Sequence, residues 1–232
     1  PHIWSGSFFV SKNEYCLKVN QPNQSFFYGR LLAGLTSTKE NAISANHSYY
    51  DNSCFEEYFE CNESFRTFPY FQGQKNHIII HPINSPTKGK LKIIANYKKS
   101  NLIETKTIYE SKYNNDQIHE IKINELADKL NLINIKTFFL IYTADLGYKC
   151  PTRFSFQVIY GNKNKGLTSS INATLGSNEI PIYKKDLYKT WIQLVSNKDY
   201  ETFAALCFSP KYHNYQEEAE ITIRKYNSQG LF

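Results

Sequence analysis

Two histidines four residues apart, His77 and His81, are the nearest thing in the sequence to a metal motif. On a helix, such a pair can share one ion. Here the residues between them are Ile78, Ile79 and Ile80, and Pro82 follows, a composition that belongs to a strand. Four residues at 3.3 Å rise set the two rings about 13 Å apart. A single zinc, which holds its nitrogen ligands at about 2 Å, cannot span them. No metal site and no cofactor is expected.

The loop Gly161-Asn-Lys-Asn-Lys-Gly166 approaches the phosphate-loop spacing, but Leu167 stands where that chemistry needs lysine. A hairpin turn between two strands accounts for it better. Neither a Gly-x-Ser-x-Gly elbow nor a Gly-x-Gly-x-x-Gly fingerprint occurs. The five cysteines (Cys16, Cys54, Cys61, Cys150 and Cys207) include no Cys-x-x-Cys pair, and their odd number and wide scatter fit buried thiols rather than a disulfide framework. The acidic set Asp51, Glu56, Glu57, Glu60 and Glu63 could supply a general acid and base of the glycosidase kind. Read as a solvated helix face, the same residues need no chemistry. No residue is assigned a catalytic role.

Aromatics are the outstanding feature: 16% of the chain, with 18 Tyr and 16 Phe. Most must pack a core, because such rings carry much of a sheet's burial. Several lie beside turn residues, as in Ser48-Tyr49-Tyr50-Asp51 and Phe65-Arg-Thr-Phe68-Pro-Tyr70-Phe71. A tyrosine there keeps a hydroxyl for water while its face stacks on a ligand. Tyr49, Tyr50 and Tyr70 are therefore the candidate ligand-binding residues, with Phe68 and Phe71 assigned to the core.

The elements that would position these residues are mostly strands. In Lys90 to Lys98, Leu91, Ile93, Ala95 and Tyr97 share one face while Lys92, Asn96 and Lys98 take the other, the period of a half-buried strand. Similar segments run from Ile3 to Val10, Glu14 to Val19, Ser25 to Leu32, Phe65 to Phe71, Asn76 to His81, Leu102 to Tyr109, Gln117 to Ile123, Lys136 to Ala144, Arg153 to Tyr160 and Glu220 to Tyr226. The expectation is a mostly β protein of antiparallel, sandwich-like sheets with a few short helices, with α+β as the alternative. Two helices are expected. One follows the capping box Ser53-Cys54-Phe55-Glu56, with Cys54, Tyr58, Cys61 and Phe65 on one stripe. On it Cys54 and Cys61 would be about 10.5 Å apart, too far to bridge. The other spans Asn124 to Asn131, with Asn124 as N-cap. Asp186 to Cys207 fits either a helix or a strand. His81-Pro82-Ile83-Asn84-Ser85-Pro86-Thr87-Lys88-Gly89 is the clearest break. It divides a β-rich N-terminal half, 1–85, from a sandwich-like C-terminal half, 86–232, unless the two form one domain.

The net charge of +6 comes almost wholly from lysine; only Arg30, Arg66, Arg153 and Arg224 could present the fork that reads bases. Together with the surplus of Asn, Ile and Tyr this points to AT-rich coding rather than to nucleic-acid binding. No apolar run approaches the roughly 20 residues of a membrane span. The chain opens at Pro1 and holds no Met, so a missing targeting segment carries no information. Sequons at Asn23, Asn46, Asn62 and Asn172 lean slightly toward a secreted or surface location. The expected function is a non-catalytic binding or adhesion module for a glycan or protein partner. The alternatives are a hydrolase whose Asp, Glu or His residues meet only in the fold, and a structural assembly subunit. Oligomeric state is left open.

Overall fold

A computed structural model describes residues 32–36, 43–47, 58–83, 85–152, 154–162, 168–176 and 205. Within them the chain runs β1 (Leu32–Thr36), β2 (Ile43–His47), β3 (Glu63–Pro69), β4 (Gln74–Ile80), β5 (Lys88–Lys99), β6 (Leu102–Asn114), β7 (His119–Lys122), α1 (Ile123–Lys129), β8 (Ile135–Ala144), β9 (Ser155–Asn162) and β10 (Thr168–Thr174). The protein is mostly β. Two four-stranded antiparallel sheets, ordered β10-β9-β4-β7 and β3-β8-β5-β6, and a β1–β2 hairpin make up the strand content. The expected strands at 3–10, 14–19, 25–32 and 220–226, the 186–207 segment and the Ser53 cap lie wholly or almost wholly outside the described residues.

One core joins the two four-stranded sheets. Ile78 and Ile80 of β4, Phe156 and Val158 of β9 and Ile121 of β7 pack with Leu91, Ile93 and Ala95 of β5 and with Phe138, Leu140 and Tyr142 of β8. In β5 the alternation read from the sequence is the burial pattern of the strand, lysines outward and apolar residues inward. Central strand β8 is different. Phe139 and Ile141 on its outer face are also buried, against Phe65 of β3. A strand covered on both sides reads as an unbroken apolar run, which Phe138 to Tyr142 is.

Rings supply the tightest packing. Phe68 lies 5.6 Å from Phe138 and 5.5 Å, edge-on, from Phe156. A second group joins Tyr113, Tyr142 and Phe154, with centroids 4.9–5.4 Å apart. Both spacings lie in the favourable offset and edge range. Most rings of the described residues thus lie in or against the core.

Two local expectations are overturned. The part of the expected helical stripe that lies in the described residues, Tyr58 to Phe65, is not helical: Tyr58 makes an antiparallel bridge to Pro151, and Phe65 belongs to β3. Nor does Asn124 cap a helix. Helix α1 starts one residue earlier, with Lys122 at the cap position and no side-chain cap bond. Because β7 runs straight into α1, no loop remains in which Asn124 could cap. Its carboxamide turns sideways to β4 instead. Glu125 in the first turn and Lys129 in the last suit the helix dipole, and Asn131, at φ 53°, ends the run in the left-handed region.

Candidate functional site

The histidines behave as strand residues. His77 sits in β4, buried, with Nδ1 3.8 Å from Glu120 of β7, and His81 lies just past the strand end. Burial holds the His81 imidazole below its ordinary range. Among the described residues no three His, Cys, Asp or Glu side chains converge as metal ligands would. Gly161 and Asn162 lead out of β9 toward β10, its antiparallel neighbour, so the glycine loop joins two hairpin strands. Glu60 pairs with Lys149 at 3.2 Å. Asp51, Glu56 and Glu57 lie outside the described residues.

Cys61 and Cys150 carry free thiols. Cys150 is fully buried, and that burial pushes its pKa up to about 11. Such a thiol is protonated and unreactive at neutral pH. The neighbouring Tyr142 hydroxyl is held well above its usual value by the same desolvation, and it meets the Thr87 hydroxyl. Both are core groups.

Of the expected ligand tyrosines, Tyr49 and Tyr50 fall outside the described residues. Tyr70 is half-buried, packed against the core, and its hydroxyl accepts a hydrogen bond from Asn124 Nδ2 at 3.1 Å. Desolvation raises its pKa, with the Asn124 bond acting in the opposite direction. Phe68 is in the core, as expected of it, and Phe71 is half-buried with its ring edge-on to Tyr160 at 5.0 Å.

The aromatic that does face solvent is Tyr148. At 37% exposure it is the one exposed aromatic among the described residues. It closes the turn Asp145-Leu146-Gly147-Tyr148, in which the Tyr148 N–H donates to the Asp145 carbonyl at 2.9 Å and Gly147 takes φ 87°. Only glycine adopts that backbone readily. The Lys88 ammonium stands 5.8 Å from the Tyr148 ring centroid, a cation–π distance. Lys88 also fixes the turn, since its carbonyl accepts the Asp145 N–H at 2.8 Å. Lys88 pairs across β6 with Asn114, so the turn carrying Ile118 leaves the same end of the sheet. Leu146 and Ile118 are both exposed there. A tyrosine beside polar turn residues is the criterion that selects Tyr49 and Tyr50. Applied to Asp145-Leu-Gly-Tyr148 it finds this residue too.

The arrangement offers a partly exposed ring with a cation over it, an aspartate and exposed aliphatic side chains, on a turn hydrogen-bonded to the start of β5. No protein-family model, no curated protein and no solved structure matches this chain.

Proposed function

We propose that this chain is a non-catalytic binding or adhesion module, and that the end of the sandwich bearing Tyr148 recognises a glycan or protein partner. What supports the reading is the position of Tyr148: nearly every other aromatic of the described residues lies in or against the core, while this ring stands on a solvent-facing turn beside Lys88 and Asp145. A sugar ring stacks on such a face through its C–H groups while its hydroxyls meet the neighbouring charges. Rigid sheets carrying recognition on their turns are a common solution to binding.

The test is a glycan array and a partner screen with the parent chain, Tyr148→Ala and Tyr70→Ala. Tyr148→Ala should abolish binding while changing stability by no more than about 0.5 kcal/mol, as for an exposed site. A ligand bound equally well by both variants would end the tyrosine-platform idea. Turnover of broad hydrolase substrates would replace it with the enzyme reading.

A further inference from the structure

The opposite end of the second sheet carries a different surface. Strand β5 ends at Lys99 and β6 begins at Leu102, so the hairpin turns on Ser100 and Asn101 alone, with Ser100 at φ 56°. The tip is left unburied: Leu102 is 71% and Ile103 58% exposed. Register places Lys99 opposite Leu102 and Lys98 opposite Ile103. Successive strand residues face opposite ways, so each face of the tip presents one apolar side chain with a lysine beside it. On the far side of β5, the Lys98 N–H donates to the Asn134 carbonyl at 3.1 Å. That bond brings Ile133, 70% exposed, to the same end. Lys106 and Lys136 are exposed nearby. The acid of the group, Glu104, is engaged by the Tyr97 hydroxyl at 2.7 Å and by Lys99 at 3.7 Å.

We infer that this end docks on an anionic lipid surface, with Leu102, Ile103 and Ile133 entering the headgroup layer and Lys98, Lys99, Lys106 and Lys136 lying against lipid phosphates. Charge selects the occupant: Lys98 and Lys99 flank the apolar tip, and Lys106 and Lys136 are exposed on β6 and β8, in a chain of net charge +6. Lysine suits the position because its stem lies along apolar surface while its ammonium stays at the headgroups. Size argues the same way. Three side chains are a small part of the roughly 800 Å² per partner that a stable protein interface covers, whereas interfacial lipid binding needs only shallow apolar insertion plus basic charge. Nor does the edge of β6 invite a protein strand, since Lys106, Glu110 and Lys112 along it deter strand addition. The inference goes beyond the ligand-binding reading and does not rest on it, because the two surfaces lie at opposite ends of β5.

The experiment is co-sedimentation of the chain with phosphatidylcholine vesicles, with and without phosphatidylserine. Binding is expected only with phosphatidylserine, weakening as salt rises. The double variant Leu102→Glu/Ile103→Glu should lower it about tenfold or more, and Lys98→Glu/Lys99→Glu likewise. Leu146→Glu, at the Tyr148 end, should leave it unchanged. Ile103→Trp adds a direct reading: its fluorescence should shift to the blue on phosphatidylserine vesicles. The inference is overturned by absent sedimentation at low salt, by Leu102→Glu/Ile103→Glu sedimenting like the parent, or by Leu146→Glu losing as much. A dimer in ultracentrifugation that dissociates in the tip variant would also overturn it, giving the patch to a second copy. The outcomes read at the tip variants do not bear on Tyr148 and its ligand, so the two readings fail separately.

Discussion

The Asn124 carboxamide accepts the backbone N–H of Asn76 at 2.7 Å, tying the first turn of α1 to strand β4. Through its Nδ2 the same group donates to the Gln74 carbonyl at 2.9 Å as well as to Tyr70. Asn76 completes the staple by donating to the carbonyls of Gln74 and Phe71 and accepting the Phe71 N–H. Two asparagines thereby satisfy a turn that has few backbone partners of its own. Buried polar groups of this kind stabilise only as a complete set.

Asn124→Ala should therefore cost about 2 kcal/mol or more, because it leaves the buried Asn76 N–H unsatisfied. Urea unfolding measures the loss. The double variant with Asn76→Ala should show a coupling of at least about 0.5 kcal/mol, since both amides converge on Gln74. Purely additive effects would show that the two act independently.

Gly89 stands where β5 meets β8. A Cβ there would collide with the Thr143 carbonyl and come within 2.8 Å of the Tyr142 ring. Gly89→Ala should cost about 3 kcal/mol, the upper part of the range for overpacking. Gly73→Ala meets no atom within 4 Å and suffers only from its φ of 77°, so about 1–2 kcal/mol is expected. Thermal melts of the two variants should rank them in that order.

Stability should fall at alkaline pH. Burial raises the Cys150 thiol from 9.0 to about 11, so the folded chain keeps a proton that the unfolded chain releases above about pH 9. The contribution is fully present below that pH and is lost as pH climbs through the folded value. Its size is on the order of 3 kcal/mol, at about 1.4 kcal/mol per unit. Urea midpoints between pH 8 and 11 should flatten in Cys150→Ala. In the native chain at pH 8, iodoacetamide should leave Cys150 unmodified until the protein is unfolded.

Phe156→Ala removes a ring from the edge-on pair with Phe68 and should cost about 3–5 kcal/mol. Tyr148→Ala, on its exposed turn, should fall within about 0.5 kcal/mol of the parent. Equal losses would mean that Tyr148 is a packing residue and not part of a surface.

Much of the sheet was legible in the chain because strand burial writes a period of two into the residues. Leu91, Ile93 and Ala95 alternate with lysines, and they line the core. The Phe138 to Tyr142 run shows the other signature, a strand covered on both faces. His77 and His81 were correctly placed on or beside a strand by the isoleucines between them. These readings needed only local pattern, which is why they held.

What tertiary structure decided was every case in which a local preference met a longer-range competitor. The stripe through Tyr58, Cys61 and Phe65 argues for a helix, a local preference worth about 1 kcal/mol or less. Burying Phe65 against Phe139 and Ile141 is worth about 1.5–3 kcal/mol, and residues so far apart in the chain give no local sign of their meeting. Asn124 carries the cap residue type, yet β7 supplied no loop for a cap while β4 offered a backbone N–H. Tyr70 and Tyr148 look alike as residues, each an aromatic beside a turn. Exposure separates them, because the core and α1 pack against Tyr70 while Tyr148 faces water over Lys88. Composition determines that many rings are present; only the packing of distant segments determines which of the described rings is left outside.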